Sequence, residues 1–597
     1  MFKPAKMKKF NLIIAQGYAD DVIRTLGELG VAHFVDVREK LEDYEGLVEI
    51  VEPSDKYFRL STLSSRIDSL VDQLHIPVTM RPTPKTLISV ERELSEKSLE
   101  KFEMKVKEIE ERSSGTVSRL GELESIEDRS PEMEDEMKEL QTKRDSMTKD
   151  YSMDLLALKE TIELEKRTEE IRTMFGKTGQ TYVIEGWIPK KNEKIFTEKI
   201  NEITENTCFL ELSKPTHSSH SPGSSNTGDT PPTLLQNPGF MSPVEELTKS
   251  YGTPSYNELD PTFLMWVTFP IIFGMMFGDI GHGALLLLAG LAGVVAYRKG
   301  LVLSEFMMYV VKGGGLLAAS GISSIFFGFM YGEFFGYHII HEVWYIQAVE
   351  PLRPVISAMS AILFRYDPLA VDPTGPLWID PFEHTMVFFK ATLFVGVVHM
   401  SIGLIFSLIN KLKNKEFVHA FFEPGCWLWF YLGAAYIVLY IPAFGVSNIF
   451  DWFGNVVYGL SSPILMFFLL PLILMFVGNL LIGMRSGEGA TGLMVPIEAF
   501  ISSLSNTISY GRILALAMVH KGFAQAAITL SGPFGGPMYF IILPLFTFMI
   551  IMMLEGLVVF IHVVRLHWVE FFLKFYKGEG VEYTPFTLKR TYTILRG

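Results

Sequence analysis

The residues best suited to chemistry in this 597-residue chain lie inside a long apolar run near its C-terminus. In a helix of about 100° per residue, Glu498, Ser505 and Ser509 point within about 60° of Arg512, and His520 points about 80° away from it. Arg512 is about 20 residues from either end of the run, beyond the reach of a snorkelling side chain. A cation at that depth of a bilayer costs about 2.5–3.5 kcal/mol. We therefore expect a carboxylate of another chain, or a wet cavity, to compensate it.

A second set of ionisable residues, Glu555, His562 and Arg565, lies in the next apolar run. Glu555 and His562 are seven residues apart and therefore share one face of a helix. Arg565 is close enough to the end of its run to snorkel to the interface, which is the alternative to a functional position. A solvated helix end with interfacial anchoring is expected just beyond it, at His567, Glu570 and Lys574.

Carboxyl and imidazole groups spaced along two apolar helices suit a proton path, because both groups exchange protons. An arginine stays charged and acts electrostatically. It lowers the pKa of a passing carboxylic acid and repels protons that would leak between two half-channels. Outside these groups we find no activated nucleophile, no metal-ligand cluster beside His217 and His220, and no phosphate loop, since Gly313-Gly314-Gly315 lacks the required lysine. We therefore predict no catalytic residue, no metal, no nucleotide site and no cofactor.

The elements that must position these groups are apolar segments long enough to cross a bilayer, which takes about 20 residues each. We count eight such segments, and this number depends on dividing the first apolar run at Gly278–Gly283. The last two segments, at about 40 residues, would extend roughly 60 Å as helices and must tilt, bend or protrude. The segments are expected at about 261–279, 281–298, 307–329, 385–410, 422–444, 459–483, 492–531 and 538–577.

Charge placement indicates the orientation of these segments. Eight spans place most basic loop residues, among them Arg298, Lys411 and Arg485, on the same side as both ends of the chain. They place residues 338–383, with two basic and six acidic side chains, on the other side. This is the positive-inside pattern, so we expect an integral, multi-pass membrane protein whose N- and C-termini are both cytoplasmic.

The net charge of −14 is confined to the first part of the chain. Residues 1–260 hold 49 acidic and 35 basic side chains, whereas residues 261–597 hold 18 of each. This division excludes a soluble enzyme of uniform composition and a basic nucleic-acid binder. Two distant cysteines allow no disulfide framework, and the first residues lack the apolar stretch of a cleaved signal peptide.

The acidic part predicts a cytoplasmic α/β domain over residues 1–212. Strand–helix–strand patterns near its two ends, beginning at Phe10 and Tyr182, predict two small lobes. Between them, helical periodicity predicts an antiparallel hairpin at about 91–127 and 131–172, a solvated coiled coil with Ser130 as N-cap and Pro131 at the first helical position. Residues 213–260 are expected to be a flexible linker and lead-in to the transmembrane domain at 261–597.

At three stretches the chain resembles the a-type subunit, also called subunit I, of rotary A-type and V-type ATPases. Glu185-Gly186-Trp187-Ile188-Pro189 is similar to the soluble-domain signature of that family, and the similarity extends over nearly the whole chain. The three stretches are Pro231-Pro232-Thr233 through Phe269-Pro270 with Met276–Gly283, Ser505-Asn506-Thr507 through Arg512, and Arg565–Glu570 with Gly578-Glu579-Gly580 and Tyr583.

The resemblance implies a non-catalytic stator that holds two proton half-channels against a ring of proteolipid subunits. By it, Arg512 faces the carboxylate of the ring, Arg565 assists on the last helix, and Glu498, His520 and Glu555 line the half-channels. A candidate secondary path consists of Ser505, Ser509 and His562. The cytoplasmic arm would bind peripheral stalk subunits and, through the complex, the central stalk and the catalytic V1- or A1-like sector. The length of the chain resembles the prokaryotic members, which implies the cell membrane of a prokaryote.

Two positions depart from the family pattern, and two other functions stay open. Gly511 stands where a larger apolar residue is usual, and Lys521 adds a cation beside His520, near the outer half-channel. An independent ion-coupled transporter with a regulatory domain is the alternative, although the spans show no internal repeat. A scaffold without transport would leave the depth of Arg512 unexplained. The sequence leaves open the working direction, synthesis or hydrolysis of ATP, and the choice between H⁺ and Na⁺.

Overall fold

The protein folds into two compact units, the first comprising Ala5–Pro232 with Val581–Gly597 and the second Thr233–Gly580. The computed structural model describes residues 4–38, 48–76, 87–90, 92, 94–125, 130–215, 230–300, 305–340, 342–364, 366–371, 375–440, 465–486, 494–531 and 547–595. Residues 216–229 of the predicted linker, and residues 445–458 between the fifth and sixth predicted segments, lie outside the described residues.

The first unit is built on one antiparallel sheet rather than on two lobes. Strand β1 (Met7–Ala15) pairs along its whole length with β6 (Thr181–Pro189), from Met7 opposite Pro189 to Ala15 opposite Thr181. The prediction of two separate α/β lobes is therefore wrong: the two strand–helix–strand patterns form a common sheet. One such pattern is too small to bury both faces of its strands, and pairing the two creates a shared core. The other strands are β2 (His33–Val35), β3 (Glu49–Ile50), β5 (Gly176–Lys177) and β7 (Phe209–Ser213), in the order β3-β5-β6-β1-β7 with β2 also on β6.

Two short helices, α1 (Ala19–Leu29) and α5 (Glu193–Ile203), contribute to the core of this sheet. Helix α1 ends at Gly30, whose φ of 63° is the left-handed conformation that glycine adopts at helix ends. The shared core includes alternate side chains of the central strands, because successive residues of a strand face opposite sides. Its fully buried members are Phe10, Leu12, Ile14, Val22, Ile23, Leu26, Ile184, Ile188, Phe196 and Ile200.

Three long helices extend from the sheet, namely α2 (Asp55–Gln73), α3 (Glu96–Glu124) and α4 (Pro131–Thr173). Ion pairs between α3 and α4 run in opposite order along the two helices, Lys105 with Asp154 and Arg119 with Glu136, so the helices are antiparallel. The predicted cap is confirmed, because the Ser130 hydroxyl accepts the backbone N–H of Met133. Helix α2 packs against both and makes the hairpin a three-helix bundle.

The C-terminal tail belongs to this first unit, although the sequence places it with the transmembrane domain. Strand β10 (Thr593–Leu595) pairs in parallel with β4 (Ile88–Val90), and the Glu160 carboxylate accepts the backbone N–H groups of residues 591–593. Phe586 packs into the core of the sheet. The Tyr583 hydroxyl donates to the carbonyl of Val31 at 2.5 Å. Nonlocal pairing of this kind has no signature in the tail's own sequence.

The second unit is helical and apolar. Among its described residues, five helices are long and apolar enough to span a membrane: Ile280–Lys299, Gly314–Tyr331, Thr385–Lys413, Phe467–Arg485 and Met549–Lys574. Each of the eight predicted segments contains helix among the described residues. In chain order the helices are α6 (Ser242–Tyr251), α7 (Thr262–Met276), α8 (Ile280–Lys299), α9 (Glu305–Lys312), α10 (Gly314–Tyr331), α11 (Val343–Val349), α12 (Arg353–Phe364), α13 (Pro368–Val371), α14 (Thr385–Lys413), α15 (Phe417–Ala420), α16 (Cys426–Tyr440), α17 (Leu470–Ser486), α18 (Met494–Ser509), α19 (Gly511–Ser531) and α20 (Gly556–Arg565).

The first apolar run is divided where the sequence predicts, because α7 ends at Met276 and α8 begins at Ile280. The carboxylate of Asp279 caps α8 by accepting the backbone N–H of His282 at 2.9 Å. Helix α6 lies within the predicted linker, yet Val244 on it is fully buried in the core of this unit. The lead-in is therefore part of the folded membrane unit.

The last two predicted segments are not straight helices of about 40 residues. The first is divided at Tyr510 into α18 and α19. Tyr510 is fully buried, and a Cβ on Gly396 of α14 would meet its ring at 2.6 Å. The described part of the second has α20 between two π-helical stretches, Thr547–Glu555 and Leu566–Phe571. Such irregularities often occur at functional sites and turn side chains away from regular helical positions.

Candidate functional site

Arg512 forms an ion pair with a carboxylate of the same chain. Its Nη1 lies 3.2 Å from Oε1 of Glu570, and its Nη2 lies 3.4 Å from the Ser509 hydroxyl. The Glu570 side chain is 2% exposed, whereas that of Arg512 is 23% exposed. The guanidinium is therefore anchored on one side and open on the other. Glu570, expected at a solvated helix end, is instead buried, and so is His567.

His520 and Glu555, predicted on separate segments, meet in the interior of the unit. His520 Nδ1 lies 2.8 Å from Oε1 of Glu555, and both side chains are at most 2% exposed. The Phe277 ring packs on the imidazole with centroids 4.5 Å apart. This is a buried carboxyl–imidazole pair, and both of its groups are of types that exchange protons.

A third polar pair, Asp279 and His282, adjoins His520. The His282 and His520 rings are 5.3 Å apart and nearly perpendicular. Asp279 is fully buried and accepts backbone N–H groups from Phe335 at 3.0 Å and Gly336 at 2.7 Å. The sequence predicts a helix boundary at these residues but no functional site. A carboxylate and an imidazole in an otherwise apolar run were the signal that could have indicated one.

Around the break at Tyr510, a buried hydrogen-bonded group supports the Arg512 region. The Tyr510 hydroxyl lies 2.8 Å from Nδ1 of His399 on α14, and the His399 ring stacks on Phe571 with centroids 4.3 Å apart. His567 in turn lies 2.8 Å from the Thr268 hydroxyl of α7. These contacts tie the helix that carries Arg512 to the stretch that carries Glu570.

Several predicted site residues lie on an exposed face of the unit rather than in its interior. Ser505 and Arg565 are exposed, whereas Ser509 and His562 are half-buried. His562 is within electrostatic reach of both Arg512 and Arg565. Glu498 is exposed as well and interacts electrostatically with Lys574. Large apolar side chains on the same helices are exposed beside them, namely Ile501, Leu504, Ile508, Leu554, Leu557 and Ile561.

The side chain of Lys574 lies beside that face and connects several helices. Its Nζ donates to the Ser502 hydroxyl at 2.6 Å and lies 4.6 Å from the centre of the Trp427 ring. It is also within electrostatic reach of Glu570. Predicted as an interface anchor, Lys574 is thus a neighbour of the site.

The two departures from the family pattern have structural explanations. Lys521 does not add a free cation, because its Nζ lies 2.6 Å from Asp380 and 3.3 Å from Glu333. At Gly511, an added Cβ would meet Cε2 of Phe389 at 3.1 Å. The glycine therefore accommodates a close aromatic neighbour rather than leaving a gap.

The chain matches the model of the V-type ATPase 116kDa subunit family over residues 96–444 and 493–588. It is 27% identical over 551 residues to the A-type ATP synthase subunit I of Methanocaldococcus jannaschii, an alignment that covers 87% of this chain and 70% of that protein. It is 28% identical over 473 residues to the A-type ATP synthase subunit I of Pyrococcus horikoshii, covering 77% and 62%. With the human V-type proton ATPase 116 kDa subunit a 3 it shares 27% identity over 476 residues, covering 61% and 57%.

Proposed function

Because this chain belongs to the V-type ATPase 116kDa subunit family, we propose that it is the stator subunit of a rotary A/V-type ATPase or ATP synthase. In this function it forms two proton half-channels against a proteolipid ring and couples proton flow to rotation. The chain itself catalyses no covalent step. ATP synthesis or hydrolysis takes place in partner subunits.

The observation that carries the proposal is the half-exposed guanidinium of Arg512 on an apolar outer face. Exposed Leu504 and Ile508 would be ordinary lipid-facing side chains, but a cation among them is costly without a partner. Glu570 contacts the guanidinium from the interior of the unit, and the exposed side of the guanidinium is available to an acid of another chain. A ring carboxylate passing there would be favoured in its ionised form and would release its proton.

Polar groups on either side of Arg512 support two separate half-channels. His520 lies eight residues, or about 12 Å of helix, beyond Arg512 and pairs with Glu555. Glu498 lies before the break at Tyr510 and interacts with Lys574, which is near Glu570. With Arg512 between the two groups, a proton would reach the other side only by riding on the ring. Ser505, Ser509 and His562, near the arginines, would serve as the secondary path.

The first unit fits the cytoplasmic arm of such a stator. It contains both the N-terminal strand β1 and the C-terminal tail, which supports the proposal that both ends of the chain are cytoplasmic. The ion-paired bundle of α2, α3 and α4 is a stiff surface for peripheral stalk subunits, through which the chain would be held against the catalytic sector. The cell membrane of a prokaryote is the proposed location.

The test is ATP-driven proton pumping by the assembled complex carrying Arg512→Ala. We expect loss of coupled pumping to background, and also a severe loss with Arg512→Lys, because a lysine ammonium cannot reproduce the planar guanidinium that contacts Glu570 with one nitrogen and Ser509 with another. Arg485→Ala, which removes an exposed arginine at the end of α17, is the matched control and should pump normally. Co-purification of the proteolipid ring verifies assembly. Retained pumping by the Ala variant, or a chain that purifies alone and transports a solute, would contradict the proposal.

A further inference from the structure

Three buried groups near the beginning of α8 converge as metal ligands do. A carboxylate oxygen of Asp279 and a ring nitrogen each of His282 and His520 all lie within 4.8 Å of one another. A zinc ion bound at 2.0–2.2 Å holds tetrahedral ligands about 3.4 Å apart, so a small inward movement of side chains closes this set. The sequence predicts no metal site because the ligands come from two distant segments.

The imidazoles in this cluster lack the partners that buried polar groups normally have. Among the described residues, neither ring nitrogen of His282 has a hydrogen bond, and Nε2 of His520 has none. Nδ1 of His282 lies 3.2 Å from Oδ1 of Asp279 without hydrogen-bond alignment. A buried polar group left unpaired costs about 1–3 kcal/mol. These nitrogens therefore point to a ligand that binds them.

The carboxylate of Asp279 is held rigidly but keeps capacity for a ligand. Oδ1 accepts the backbone N–H groups of His282 and Phe335, and Oδ2 accepts that of Gly336 and no other N–H from the part of the chain that the structure describes. Since each carboxylate oxygen has two lone pairs, Oδ2 has one to spare. Ligating carboxylates are commonly fixed by hydrogen bonds in this way.

Glu555 completes the arrangement as an outer partner of His520. With the proton of His520 on Nδ1 and donated to Glu555, Nε2 is free to ligate, which is the carboxylate–histidine–metal geometry of zinc sites. The charges of Asp279 and Glu555 together balance a divalent cation. The rings of Phe277 and Phe335 pack on the two imidazoles and shield them from water.

A second cluster of possible metal ligands is instead satisfied by a cation of the protein itself. Glu333, His338 and Asp380 also converge, but the ammonium of Lys521 lies between the two carboxylates, 3.3 Å from Glu333 and 2.6 Å from Asp380. That site already has its cation. No side-chain cation among the described residues contacts Asp279 in the same manner.

We propose that Asp279, His282 and His520 bind a divalent transition-metal ion of the zinc class, with water in the fourth position. Binding draws on this geometry alone. Its consequence rests on the proposed function: a metal held by His520 would occupy the half-channel that this side chain lines and would therefore inhibit proton pumping.

The test is a titration of the metal-stripped, purified complex with Co²⁺, followed by competition with Zn²⁺. Tetrahedral Co²⁺ has strong visible absorption, whereas octahedral Co²⁺ is pale. We expect the strong absorption bands in the difference spectrum, obtained by subtracting the spectrum of His282→Gln from that of the wild type. Glu555→Gln, which removes an outer partner, should weaken binding about 10–100-fold, and His282→Gln should weaken it further. His419→Gln, at an imidazole away from the cluster, should bind as wild type does.

Two results would overturn the site: only pale octahedral cobalt, or equal absorption and affinity in His282→Gln. Should that variant fail to assemble, X-ray absorption of the zinc-loaded wild type decides, since two imidazoles are expected in the first shell and an all-oxygen shell contradicts the site. Metal binding without inhibition of pumping would leave the site standing and contradict the role of His520 in proton transfer.

Discussion

At the scale of single residues, the pair of Arg512 and Glu570 governs how the site is held. A charge buried in an apolar unit needs a partner, and each of these residues supplies one for the other. Arg512 retains an open side only because Glu570 secures it from within. The carboxylate that neutralises the arginine at rest therefore comes from this chain, while the acid on which it acts comes from elsewhere.

This arrangement predicts coupling between the two side chains. Glu570→Gln and Arg512→Gln should each destabilise the purified complex, because each leaves one buried or half-buried charge unpaired. The double variant should lose less than the sum, with a coupling of about 1 kcal/mol or more. Thermal unfolding of the four proteins measures the cycle. Additive losses would show that the ion pair contributes nothing to the fold.

The position of Arg512 in its apolar run could be predicted from the sequence, but its partner could not. Periodicity places Glu498, Ser505 and Ser509 on the side of Arg512, and the first two are exposed whereas Ser509 is half-buried. Glu570 lies beyond the regular part of the last helix, where a π-helical stretch alters the direction of each side chain. A helical wheel assumes regular geometry and therefore misplaces it.

At the scale of elements, small residues set how closely the membrane helices approach. Helices α8 and α10 meet at glycines, where the backbone of the opposite helix leaves no room for a Cβ atom. A Cβ on Gly321 would lie 2.5 Å from the backbone nitrogen of Leu287, and a Cβ on Gly290 would lie 2.4 Å from the backbone nitrogen of Ala318. Close backbone approach is a principal source of helix association in membranes, where lipid is as apolar as the side chains.

Substitutions on α10 should separate packing from helix propensity. Gly321→Ala should destabilise the unit by about 1–3 kcal/mol, the cost typical of overpacking, because backbone rather than a flexible side chain blocks the methyl group. Gly315→Ala on the same helix, whose nearest atom would be 3.8 Å away, should be neutral. Melting temperatures of the two purified variants check this, and equal effects would refute the close contact.

Apolar length predicts where helices exist, but not where they are interrupted. The break at Tyr510 lies where its ring packs against Gly396 of another helix, a contact that the run itself does not signal. The cap at Asp279, by contrast, could be predicted, since a carboxylate among glycines is a local stop-and-start signal.

At the scale of the whole molecule, the C-terminal tail belongs to the first unit although it directly follows the last helix of the second. His33 of β2 lies beside this tail, its Nδ1 3.2 Å from the backbone nitrogen of Thr584. Burial lowers the pKa of His33 below its usual 6.5, although the backbone contact with Thr584 acts in the opposite direction. The folded protein therefore favours the neutral imidazole.

This shift predicts a pH dependence of stability. A histidine whose pKa is lowered by folding contributes its full stability above pH 6.5 and loses it as the pH falls, because the unfolded chain then binds the proton more readily. The unfolding temperature of the first unit should fall from pH 7.5 to 5.5, and the fall should be smaller in His33→Gln. An identical pH dependence in the variant would rule out His33 as a cause.

The merging of two predicted lobes into one sheet shows the limit of local patterns. Each strand and helix near Phe10 and Tyr182 forms near its predicted place. The pairing of β1 with β6, however, joins a strand that precedes the helical hairpin in sequence to one that follows it. Which strands pair depends on the apolar side chains that they bury together, and a local sequence pattern carries no information about that contact.

The position of the tail has a consequence for separating the two units. The chain joins the second unit to the first at both of its ends, once before Thr233 and once after Gly580. A cut before Thr233 would leave the second unit attached through the tail, whose Phe586 packs into the core of the first unit. Proteolysis therefore separates the two units only when both connections are cut.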